Sequence, residues 1–158
     1  MSRRFSPPFA TEATRRTVLA GAAAVFGLVS TRRVAAEPED MARTILDFTG
    51  GIEPRSGKVT LDIAPLVENG NAVSFEVLVD HPMKPEDHVR EIALFTDKNP
   101  LPDVAVFRLT PHMGKAHVVS RMRLATTQHV TAVARLSDGS FWAERREVIV
   151  TIAACTEE

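Results

Sequence analysis

The chain has 158 residues, 44% of them hydrophobic and 25% charged, with a formal net charge of −1, which excludes a disordered, collagen-like or membrane-embedded protein. Its single cysteine excludes a disulfide-stapled scaffold and a cysteine-built zinc or iron–sulfur centre within one chain, and near-neutral charge without a basic run argues against a nucleic-acid binder. The average conceals an asymmetry: residues 1–36 hold six of the 19 Lys and Arg but one of the 20 Asp and Glu, so the other 122 residues carry a net charge of −6.

The first segment is polar and basic, with Arg3, Arg4, Arg15 and Arg16, and is followed by a 12-residue apolar run, Val18 to Val29, and a small-residue site, Val34-Ala35-Ala36. That order predicts a secretory signal peptide, residues 1–36, cleaved after Ala36. The apolar run is shorter than the about 20 residues that a membrane-spanning helix needs, so no stable membrane insertion is expected. Arg15 and Arg16 stand directly before the apolar run and are similar to a twin-arginine signal, a route that carries folded protein. Residues 37–158 are then expected as one mature domain in a bacterial periplasm.

Glu37-Pro38-Glu39-Asp40 opens a short helix, with acidic residues in its first turn and Met41, Ile45 and Phe48 at helical spacing; Gly50-Gly51 ends it. Alternation dominates from there. Val59, Leu61 and Ile63 share one face, and Val73, Phe75, Val77 and Val79 share another in the next segment. Ile92 to Phe95 and Val104 to Phe107 are compact β-rich runs, and Val118, Ser120, Met122 and Leu124 alternate with His117, Val119, Arg121 and Arg123. Val130, Ala132, Ala134 and Leu136 lead into Ser137-Asp138-Gly139-Ser140, a hairpin signal, and the last strand runs from Phe141 to Ile152. Turn chemistry separates the segments at Asn69-Gly70-Asn71, His81-Pro82, Lys98-Asn99-Pro100, Thr110-Pro111 and Gly114. About seven short strands at regular spacing predict an all-β, immunoglobulin-like antiparallel sandwich with a short N-terminal helix.

Few residues suggest chemistry. Cys155 lies just past the last apolar strand, three residues before the C-terminus, where chain ends are usually accessible. Such a thiol is either incidental or displayed for covalent attachment, since a thiolate is both nucleophile and carrier atom. Glu157, Glu158 and the terminal carboxylate disfavour that thiolate. The five histidines, His81, His88, His112, His117 and His129, form no HExxH-type cluster, and no G-x-S-x-G elbow or paired carboxylates stand out. No catalytic residue, metal or other cofactor is therefore expected. Arg121 and Arg123, and the pair Arg145-Arg146, read as solvated faces, with an anionic substrate or acidic partner as the alternative.

Taken together, Gly50-Gly51, Gly57-Lys58-Val59-Thr60-Leu61, Ala64-Pro65 through Glu68-Asn69-Gly70-Asn71, Val79-Asp80-His81-Pro82-Met83, Lys98-Asn99-Pro100, Val104 to Pro111, Arg121 to Ala125 and Val150 to Cys155 resemble the SoxY family, sulfur carriers of bacterial thiosulfate oxidation. The likeness covers nearly all of residues 41–155. It implies an immunoglobulin-like sandwich in a heterodimer with a small β subunit of the SoxZ type. It further implies that sulfur intermediates are bound covalently at Cys155 and presented to a SoxAX cytochrome, a SoxB hydrolase and a SoxCD dehydrogenase, the chain itself not being an enzyme. The family ends in Gly-Gly-Cys-Gly-Gly. Here the carrier arm is Ala153, Ala154, Cys155, Thr156, Glu157 and Glu158, and each Gly to Ala change adds a Cβ and removes positive φ. That departure leaves a second reading: a non-carrier binding or scaffold subunit, a divergent SoxY paralogue serving another periplasmic oxidation system.

Overall fold

The computed structural model describes residues 38–152. Helix α1, Pro38–Thr49, has Glu39 and Asp40 in its first turn, where the helix dipole favours negative charge. It ends as the sequence predicts. Gly50 and Gly51 take φ of 66° and 85°, and the Gly51 N–H donates to the Leu46 carbonyl at 2.8 Å.

Eight strands follow: β1 (Val59–Ile63), β2 (Leu66–Asn69), β3 (Val73–Val79), β4 (Val89–Thr96), β5 (Asp103–Arg108), β6 (Ala116–Met122), β7 (Gln128–Leu136) and β8 (Phe141–Ile152). They form a three-stranded sheet ordered β1-β3-β6 and a five-stranded sheet ordered β2-β8-β7-β4-β5. The immunoglobulin-like sandwich expected from the alternation is present. All pairings are antiparallel except one, β2 with β8.

The two sheets differ in what covers their outer faces. In β1 and β3, buried and exposed residues alternate strictly, because only one face meets the other sheet. In β4 and β7 nearly every residue is buried. Their inward side chains, Ile92, Leu94, Val130, Ala132 and Ala134, join the core between the sheets with Leu61, Phe75 and Val77. Their outward ones, Ala93, Phe95 and Val133, lie under α1 with Met41, Ile45 and Phe48. Phe48 meets Phe95 and Phe141 edge-on, with ring centroids 5.8 and 6.1 Å apart. Double coverage is why Ile92 to Phe95 reads as a continuous apolar run.

The Asp-Gly signal is also realised. Gly139 has a φ of 84°, the Ser140 N–H donates to the Asp138 carboxylate at 2.8 Å, and the Leu136 N–H donates to the Ser140 carbonyl at 3.0 Å. Among the described residues no helix is long and apolar enough to cross a membrane.

Candidate functional site

The arm that would carry Cys155 begins where β8 ends, and the structure describes its base. Over its first part β8 pairs with β7, from Phe141 opposite Arg135 to Val148 opposite Gln128. Beyond Val148 the short strand β2 takes over in parallel register, with Leu66 beside Ile149 and Asn69 beside Ile152. The Ile149 N–H donates to the Pro65 carbonyl at 2.9 Å, and the Thr151 hydroxyl donates to the Glu68 carbonyl at 3.1 Å. From the other side, the Val150 N–H donates to the Thr127 hydroxyl at 3.0 Å. The last tie is the Gly70 N–H, which donates to the Ile152 carbonyl at 3.1 Å. The Asn69-Gly70-Asn71 turn read from the sequence is thus the clamp on the final described residue. Ile152 itself is exposed.

A second set of contacts fixes the loops beside that clamp. Gly70 accepts at its carbonyl from the Leu124 N–H, 2.9 Å, which joins the end of β6 to the clamp. Asn99 bridges two loops: its Oδ1 accepts from the Ala125 N–H and from Gln128 Nε2, each at 2.9 Å, while its Nδ2 donates to the Arg123 carbonyl at 2.9 Å. Gln128, a buried polar side chain, accepts the Lys98 N–H at 3.1 Å. Three stretches singled out in the sequence, Glu68 to Asn71, Lys98 to Pro100 and Arg121 to Ala125, therefore converge on the arm base. Cys155 and the arm residues Ala153, Ala154 and Thr156 lie outside the described residues, as do Arg15 and Arg16.

Several other candidate groups are partnered by charge, whereas Arg121 and Arg123 make no ion pair among the described residues. Asp97 is almost fully buried and accepts from the His129 backbone N–H and from His129 Nδ1, both at 2.8 Å, with Arg145 at 3.5 Å. Arg146 meets Glu144 at 2.5 Å, so the Arg145-Arg146 pair is neutralised rather than arranged around an anion. His117 pairs with Glu76 at 2.7 Å. His81 bonds through Nε2 to Asp87 at 2.8 Å, and its Nδ1 lies 3.4 Å from Lys58 Nζ, which sits over the Trp142 ring. His88 donates its backbone N–H to the Ser137 hydroxyl, and His112 lies in a short 3-10 turn, Pro111–Met113. Among the described residues no group of three or more His, Cys, Asp or Glu side chains could hold a metal ion. The Asp97–His129–Arg145 and Lys58–His81–Asp87 clusters escaped the sequence reading because their members lie 6 to 48 residues apart in the chain.

These features define an immunoglobulin-like β-sandwich protein with one sheet face capped by a helix. The sequence matches the family described as sulfur oxidation protein SoxY over residues 45–155, and the chain belongs to that family. Among solved structures it is similar to the sulfur carrier protein SoxY from Chlorobium limicola f thiosulfatophilum, at 26% identity and a TM-score of 0.60, over 71% of this chain and 92% of that one. The fold is shared with the superoxide reductase (neelaredoxin) of Ignicoccus hospitalis, at 16% identity and a TM-score of 0.54, over 77% of this chain and 98% of that one. A putative superoxide reductase from Thermotoga maritima is similar at 20% identity and a TM-score of 0.51, over 66% of this chain and 90% of that one. No curated protein matches.

Proposed function

We propose that this chain is a covalent carrier of sulfur intermediates, with Cys155 Sγ as the attachment atom. The observation that carries the reading is the extent of the family match: it runs through residue 155, past a final strand clamped at Ile152. A carrier needs a rigid body, a fixed point of departure and a nucleophile beyond it; Cys155 is the only thiol in the sequence and lies three residues past the clamp. Three residues span at most about 10 Å, which bounds the distance from the clamp to the Cys155 backbone. The sulfur carrier from Chlorobium limicola supports the same role.

The chemistry asks little of the domain itself. Joining the Cys155 thiolate to the sulfane sulfur of thiosulfate makes an S–S bond and releases two electrons, which a SoxAX-type cytochrome accepts. Hydrolysis and further oxidation fall to SoxB- and SoxCD-type partners, so the chain is a substrate of enzymes rather than an enzyme. It acts in the periplasm after twin-arginine export, as a heterodimer with a SoxZ-type subunit. The Ala-Ala and Thr-Glu-Glu flanks make loading slow or selective, because neighbouring carboxylates lower the thiolate fraction and oppose anionic sulfur compounds.

Cys155→Ser tests the attachment atom. It is expected to remove every sulfur adduct seen by intact-mass spectrometry and to leave folding and partner binding unchanged. Restoring Gly-Gly-Cys-Gly-Gly is expected to speed loading by thiosulfate-oxidising partners. Adducts that persist in Cys155→Ser would sink the assignment. A wild-type thiol that never carries sulfur would favour the scaffold reading instead.

A further inference from the structure

The sandwich has four sheet edges among the described residues, β1, β6, β2 and β5, and three of them carry features that disfavour another strand. At β1, the Leu61 N–H is taken by the Glu144 carboxylate at 2.6 Å. Strand β2 is only four residues long. Beside β5 the register slips at Leu94/Phe95, and its terminal cation, Arg108, is paired with Glu91 at 3.3 Å. Short edges, bulges and charge pairing are ways in which proteins keep edges from recruiting other strands.

The fourth edge is different. Strand β6 is seven residues long and pairs with β3 in unbroken register from Ala116 opposite Val79 to Met122 opposite Val73. The other side of its backbone has no neighbouring strand. Val119 projects from its outer face at 66% exposure. Its charge is also unlike the rest of the protein: residues 104–137 contain no Asp or Glu, although the chain beyond residue 36 is acidic overall. Lys115, Arg121 and Arg123 flank this edge, are exposed and make no ion pair among the described residues.

We infer that the β6 edge is a docking strand for an acidic extended strand of a partner protein, added to the β1-β3-β6 sheet as a fourth strand. The backbone of β6 supplies the ladder, Val119 an apolar contact, and Lys115, Arg121 and Arg123 the selectivity. A second copy of β6 is disfavoured, since it brings the same cations opposite one another. This inference rests on the heterodimer reading above and names the surface that reading uses.

The test measures binding of the processed protein to its SoxZ-type subunit, with hydrogen exchange followed in both. Amides of residues 116–122 are expected to gain protection in the complex, and affinity to fall as salt rises. Arg121→Glu with Arg123→Glu is expected to weaken binding about tenfold or more, whereas Arg121→Lys with Arg123→Lys retains most of it. These side chains are exposed, so an unchanged circular dichroism spectrum verifies that each variant folds. A complex that forms with wild-type affinity in the charge-reversed variant, its β6 amides exchanging as in the free chain, would overturn the surface and leave the heterodimer standing. Protection of β6 by self-association alone would overturn it in favour of a homodimer. Absence of any complex with the wild-type chain would overturn both this inference and the heterodimer.

Discussion

Where β8 gives out, the bonds that hold the strand end and its loops are neutral, from Asn99, Gln128, Thr127 and the Gly70 backbone, and the charged Asp97–His129–Arg145 cluster beside them hydrogen-bonds to none of these four. At the opposite end of the same sheet, around the β7–β8 hairpin, the ties are charged. Lys58 lies against His81 and over Trp142, His81 bonds to Asp87, and Asp138 accepts from Ser140. The difference has a functional sense under the carrier reading. A departure point that must hold its position while anionic cargo comes and goes is best built from groups whose charge does not answer to that cargo. The charged end is the one exposed to salt screening, and its Asp138 carboxyl answers to pH.

Three substitutions bear on this contrast, from the largest effect to the smallest. Asn99→Ala removes one side chain that meets Ala125, Gln128 and Arg123, leaving buried Gln128 without a partner at Nε2. The expected cost is about 2 kcal/mol by denaturant unfolding, with amides of 123–128 and 149–152 exchanging faster. Lys58→Met keeps the aliphatic stem and loses the contacts with His81 and Trp142; about 1 kcal/mol is expected, with no change in exchange at the arm base. Equal loss of protection at both ends in either variant would contradict the division.

The smallest effect concerns Asp138. Hydrogen bonds from the Ser140 side chain and backbone, then the nearby His81 and Lys58, hold its carboxyl below the ordinary 3.8. A carboxyl with a depressed folded pKa stabilises the fold above its unfolded pKa and loses that contribution as pH falls through the folded value. The hairpin therefore loosens below pH 3.8, and Asp138→Asn is expected to flatten the acid limb of the stability profile there. An unchanged limb would remove Asp138 from the account.

How much of this was legible in the sequence follows from which contacts are local. Strict alternation in Val59 to Ile63 and Val73 to Val79 announced a sheet with one wet face, and Asp138-Gly139 announced the hairpin. Strand β2 was missed because Leu66-Val67-Glu68-Asn69 is short, mostly exposed and parallel to a partner more than 80 residues on. The arm base was visible only as turn chemistry. Asn99 looks like a turn residue; its bonds to Arg123, Ala125 and Gln128 span 24 to 29 residues, which no periodicity reports. The role assigned to Cys155 comes from family resemblance and chain position, since the residues around it are Ala153, Ala154 and Thr156, followed by acidic Glu157 and Glu158, and none of them activates a thiol.

The carrier claim is tested most directly by the intact mass of the protein taken from the periplasm of cells oxidising thiosulfate. The account predicts a chain beginning at Glu37 that carries added sulfur or a sulfonated sulfur, with the adduct mapped to Cys155 and released by a thiol reductant. A population that carries only the free thiol while thiosulfate is being consumed would contradict it.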